Sequence, residues 1–143
     1  NDDGNFVPLE DGVFDIEFFI NAVTDEYTFT VNPAGQAVEM YMLGDGCAAG
    51  WDNTAALPME GSEGVYTLTT ELFDDGTEGI KFITVLGQWQ PQYGTDEMGT
   101  TTGGPLFVND GTGSDPSAVP CPPNGTYTVT VNTNDMTYTI VAK

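Results

Sequence analysis

The chain has 143 residues and 15.2 kDa, with 22 Asp and Glu against two basic residues, Lys81 and Lys143, no arginine and no histidine, for a formal charge of −20. That balance repels phosphate backbones and anionic headgroups and argues against nucleic-acid binding and electrostatic membrane docking. It also excludes a Ser-His triad, an imidazole metal ligand and a guanidinium clamp.

Length fits one domain that buries roughly 68–70% of its unfolded surface, so neither a metal nor dense disulfides are needed to fold it. With 39% apolar and 11% aromatic residues, the charge belongs on a folded surface, one suited to a salty or extracellular medium. The sequence begins without Met and shows no basic-then-apolar leader and no apolar run near the roughly 18 residues of a membrane span. It reads as a processed or excised soluble piece without a transmembrane segment.

Period-2 alternation dominates and no stretch carries a 3.6 period, so the predicted class is all-β. The first element is a hairpin within residues 13–31, built from Gly12–Phe18 and Glu26–Thr30. Strands follow at about 37–43 (AVEMYML), 65–72 (VYTLTTEL) and 79–86 (GIKFITVL). Long loops separate them at 44–62, 87–104 and 109–125, a length that marks function or assembly contacts. The clearest element closes the chain: Tyr127, Val129 and Val131 alternate with threonines, a turn follows at Asn132–Asp135, and Tyr138 and Ile140 alternate with Thr137 and Thr139.

The two ends are alike. Gly12–Phe18 aligns with Gly125–Val131, and Glu26–Thr30 with the stretch from Thr137, about one domain length away. Two readings stay open: amphipathic hairpins simply look alike, or residues 1–33 are the closing hairpin of a preceding repeat and residues 34–143 a whole domain. The apolar residues of the first hairpin, Phe14, Ile16, Phe18 and Phe29 among them, exceed what an isolated hairpin leaves in water. The expected cover is an extension of the chain's own sheets, a preceding tandem domain or an identical subunit.

Cys47 and Cys121 both lie in Gly/Pro-rich loop sequence. The alternative is two unpaired thiols, but exposed loop thiols are a liability in an oxidising compartment, so a disulfide is favoured; it would close a loop of about 75 residues and contribute about 4.5 kcal/mol.

From Met40 onward the order of motifs resembles the repeated domains of the SusE and SusF outer-membrane lipoproteins of Bacteroidetes. The motifs are Met40–Asp45 with Ala49-Gly50-Trp51-Asp52, Gly64–Thr67, Gly79-Ile80-Lys81-Phe82, the Trp-x-x-x-Tyr-Gly loop Gln88–Gly94, and the closing hairpin from Gly125. The resemblance implies an immunoglobulin-like β-sandwich, here with an additional N-terminal β-hairpin, at an extracellular or outer-membrane surface. It further implies a non-catalytic module that binds a polysaccharide or oligosaccharide through a Trp platform. An N-terminal hairpin in place of a linker and a cysteine in each of two loops depart from that pattern.

Trp51 and Trp89 sit in polar, loop-like sequence. A sugar ring packs its C–H face on an indole while its hydroxyls need polar partners, here Asp52, Lys81, Gln90 and Tyr93, with Asn53 and Gln88 close by. The alternative is that both indoles plug the ends of a sandwich. Asn109–Asp115 places oxygen ligands on a glycine-rich turn, which suits calcium at Asp110 and Asp115, although the EF-hand spacing is absent. No other cofactor is expected. Among 22 carboxylates no pair stands out for glycoside hydrolysis, so an enzyme is not expected. Asn124-Gly125-Thr126 fits a glycosylation sequon. The competing function is a structural subunit of a self-assembling extracellular filament or sheath, joined by strand addition through the N-terminal hairpin.

Overall fold

A computed structural model of the chain describes the backbone of residues 14–21 and 26–33 and all of residues 38–143. The chain divides into two compact units, residues 1–37 and 38–143. In the first, β1 (Phe14–Asn21) pairs antiparallel with β2 (Glu26–Pro33), setting Ile16 opposite Val31 and Phe18 opposite Phe29. The side chains of Phe14, Ile16, Phe18 and Phe29 lie outside the described residues, and the assembly surface expected of them lies there too.

The second unit is all-β, and the described residues contain no helix long and apolar enough to cross a membrane. Its strands are β3 (Tyr41–Leu43), β4 (Leu57–Pro58), β5 (Glu60–Ser62), β6 (Val65–Leu72), β7 (Gly79–Ile83), β8 (Gln92–Gly94), β9 (Gly103–Pro105), β10 (Phe107–Asn109), β11 (Val119–Pro120), β12 (Gly125–Asn132) and β13 (Thr137–Ala142). They form two antiparallel sheets. One runs β10-β8-β7-β3-β4, with β11 also pairing β7; the other runs β5-β6-β12-β13-β9.

The alternation read from the sequence sets which face each strand buries. On β12 and β13, Val129, Val131, Tyr138 and Ile140 are buried while Thr126, Thr137 and Thr139 face water. They meet Tyr66 and Leu72 of β6 and, from the opposite sheet, Met42, Ile80, Phe82 and Val119, in one core that makes the unit a β-sandwich. Tyr138 is buried in this core, and its hydroxyl reaches out to donate to the carbonyl of the exposed Thr100 at 2.7 Å.

β7 is covered on both faces. Ile80 and Phe82 enter the central core, whereas Ile83 turns outward with Leu43 to meet Ala56 in a second, smaller cluster under the 44–58 loop. Thus the outer face of the first sheet is partly roofed by its own loops, and there the candidate site lies.

Three expectations change. The strand predicted at 37–43 is regular only from Tyr41, and the one predicted at 79–86 ends at Ile83, because Gln88 N–H turns back to the Val85 carbonyl at 3.1 Å. The long loops carry short strands of two or three residues, which is why the unit has more strands than a chain of alternating runs predicts. The cysteines are neither exposed nor bridged: both are buried free thiols, Cys47 donating to the Gly44 carbonyl at 3.3 Å and Cys121 lying 3.9 Å from the Gly46 carbonyl. Their loop sequence packs onto the core, so the exposure that motivated a bridge does not arise.

Candidate functional site

Two loops lie over the outer face of the first sheet. The first follows β3, where Gly44 and Gly50 close a small loop by a 2.8 Å hydrogen bond from Gly44 N–H to the Gly50 carbonyl. Gly50 has a φ of +60°, a backbone that favours glycine, and the chain leaves that turn into Trp51. Just beyond, the Asp52 carboxylate accepts from the Thr54 amide at 2.9 Å and the Thr54 hydroxyl at 2.6 Å. Those two bonds hold the exposed Asp52 carboxyl below the usual range and make it a brace for the Trp51 turn. The second loop joins β7 to β8 and carries Trp89; Gly87 N–H donates to the Asn53 carbonyl at 2.8 Å and ties the two loops together.

Trp51 and Trp89 are 42% and 38% exposed, too open for indoles that plug a core. Both line one open cleft of about 440 Å³, together with Lys81, Gln90, Gln92 and Asp115. That volume is within the range of small-ligand sites. The cleft offers two aromatic surfaces, one ammonium, two amides and one carboxylate.

The polar floor is an ordered chain of hydrogen bonds. Lys81 on β7 and Gln92 on β8 are diagonal neighbours on the outer face, since Ile83 stands opposite Gln92. Lys81 Nζ donates to Gln92 Oε1 at 2.9 Å, and Gln92 Nε2 donates to Asp115 Oδ1 at 3.0 Å. Asn109, directly opposite Gln92 on β10, donates its Nδ2 to the same oxygen at 2.6 Å. Gln92 and Asn109 are 2% and 5% exposed, so their amides depend on these partners. Partial burial pushes the Lys81 ammonium below its ordinary pKa, and the Asp115 charge offsets part of that.

Asp115 reaches the site because its loop returns along β8. Thr95 and Ser117 exchange backbone hydrogen bonds at 2.8 and 2.9 Å, and Gly94 admits this approach: a Cβ there would collide with the Ser117 carbonyl oxygen.

Of the residues read from the sequence, Trp51, Lys81, Trp89 and Gln90 come together at the cleft. Asp52 braces the adjoining turn without lining it. Tyr93 faces the other way: it pairs with Phe82 and packs against the central core. Asp110 and Asp115 do not converge. Asp110 accepts from the Thr112 amide and hydroxyl, whereas Asp115 accepts from two side-chain amides, and no group of three or more His, Cys, Asp or Glu suited to a metal occurs among the described residues. Gln92 is the residue that sequence reasoning misses. A strand alternates its faces, so once residues 92–94 are a strand, Tyr93 in the core places Gln92 outside.

An all-β sandwich whose outer face carries two open indoles above a hydrogen-bonding floor has the make-up of a sugar-binding module. The family described as SusF, first starch specific CBM matches residues 34–142, and the chain belongs to it; that stretch is a carbohydrate-binding module. No curated protein and no solved structure matches.

Proposed function

We propose that the 34–143 unit is a non-catalytic, immunoglobulin-like module of a bacterial cell surface that holds a neutral polysaccharide of the starch type in the Trp51–Trp89 cleft. The observation that carries this reading is the convergence of both tryptophans of the chain on one cleft with Lys81 and Gln90. Each indole takes the C–H face of a sugar ring, while Lys81 and Gln90 donate to hydroxyls.

The class of glycan follows from charge. A surface near −20 repels uronates and sulfated sugars, and a single ammonium already engaged with Gln92 and offset by Asp115 does not reverse that field. A binding role without chemistry is favoured because Asp115 is the one carboxylate among the residues lining the cleft, whereas glycoside hydrolysis uses two across the scissile bond. The family match supports the cell-surface setting.

Because the chain has two tryptophans and both line the cleft, intrinsic fluorescence reports on the site directly. Titration with soluble starch is expected to change the emission saturably. Trp51→Ala and Trp89→Ala are each expected to weaken binding about tenfold, or about 1.4 kcal/mol. Emission that stays flat with starch, or two variants that bind as wild type does, overturns the reading.

A further inference from the structure

We propose that Asp115 is a positioning residue for the sugar site: acting through the Gln92 amide, it holds the Lys81 ammonium in the cleft between Trp51 and Trp89. The inference deepens the carbohydrate reading and rests on it for its affinity measurement.

The argument is one of donor and acceptor polarity. A glutamine amide has an oxygen end and an NH₂ end that are nearly equal in size, so shape alone does not choose its orientation. At Gln92 both ends are engaged and the residue is 2% exposed, so a mismatched amide end would be poorly hydrated. A carboxylate only accepts and an ammonium only donates. With Asp115 Oδ1 at 3.0 Å from Nε2 and Lys81 Nζ at 2.9 Å from Oε1, one orientation satisfies both contacts. The reverse sets oxygen against carboxylate and NH₂ against ammonium.

Asp115 itself is held by a second amide. Asn109 donates to the same Oδ1 at 2.6 Å, and the Asn109 oxygen accepts the Gly111 and Gly113 amides at 2.9 and 3.2 Å. The Asn109–Asp115 turn, which the sequence offers as a cation loop, thus stays exposed over residues 110–115 while Asn109 and Asp115 engage amides. Its consequence is a Lys81 with one N–H committed to Gln92 and, among the described residues, no other hydrogen-bond acceptor, so that its remaining N–H groups serve a ligand.

The test compares Asp115→Ala, Asp115→Asn, Gln92→Met and the Asp115→Ala/Gln92→Met pair in the full chain, with soluble starch as the probe and thermal melting to verify folding. Asp115→Ala is expected to bind starch about tenfold more weakly. Asp115→Asn, which keeps an acceptor oxygen, is expected to regain most of that loss. Gln92→Met is expected to match Asp115→Ala, with no further loss in the double variant. A folded Asp115→Ala that binds as wild type does, or losses that add in the double variant, overturns the proposal.

Should the wild-type chain not bind starch, the carbohydrate reading falls, and the unliganded protein decides the positioning separately. Its Lys81 side-chain NMR resonances, readily assigned in a chain with two lysines, shift in Asp115→Ala and return in Asp115→Asn if Asp115 holds the relay. Resonances unmoved by Asp115→Ala overturn it.

Discussion

At the scale of single residues, burial changes what a side chain does. Cys121 sits in the core beside Cys47, and burial, reinforced by Cys47 and by the carboxylates of Asp74, Asp45 and Glu78, pushes its thiol from an ordinary 9.0 up to about 12. The folded state therefore keeps a proton that the unfolded chain releases above pH 9, and stability falls as pH rises from 9 toward 12. Melting temperature is expected to drop across that window, and to drop less in Cys121→Ala. Neither thiol is nucleophilic while buried and protonated, so a thiol reagent at pH 8 is expected to label the native chain slowly and two thiols per chain in denaturant. Finding none in unreduced, denatured protein would reinstate the bridge that the loop sequence invites. Tyr138→Phe, which removes the 2.7 Å bond to the Thr100 carbonyl, is expected to cost about 1 kcal/mol in denaturant unfolding and to leave starch affinity unchanged.

At the scale of elements, the site depends on loops delivered to a rigid sheet. β7 and β8 place Lys81 and Gln92 on adjoining strands, and the returning segment at Ser117 sets Asp115 over them through Gly94. Gly94→Ala forces a methyl group against the Ser117 backbone. It is expected to cost about 1–3 kcal/mol of stability and to weaken starch binding together with it, measured by denaturant unfolding and fluorescence titration. The elements differ in how plainly they could be read. β6, β12 and β13 are eight, eight and six residues long, enough for alternation to declare itself, and they stand where the sequence predicts. β8, β10 and β11 are two or three residues long, and a period of two cannot be recognised over one repeat. The misplacement of Tyr93 and the omission of Gln92 both follow from reading residues 87–104 as loop.

For the whole molecule, the −20 charge is a screened self-repulsion that works against the compact state. Melting temperature is expected to rise between about 0.01 M and 1 M salt, over which the Debye length shrinks from about 30 Å to about 3 Å. Starch affinity is expected to change little over the same range, because a neutral glycan releases no counterions. A strong salt dependence of binding would instead identify a charged ligand. The same field opposes association of identical chains.

The sequence by itself determined the strand class, the inward residues of β6, β12 and β13, and the absence of every chemistry that needs histidine or arginine, because period and composition are local properties of a chain. It also set both tryptophans in polar, loop-like stretches, where they could serve as a platform or as plugs for the sandwich, and their exposure of 42% and 38% decided against the plug. Only the tertiary structure decided that the two loops share one cleft, that Tyr93 leaves it and Gln92 enters it, and that Asp115 serves an amide. Those outcomes depend on which strands become neighbours and which face a loop covers, and both are set by the burial of residues far apart in the chain. The cysteines show the same division: glycine and proline around them announce loops, but whether a loop lies in water or on the core is settled by packing.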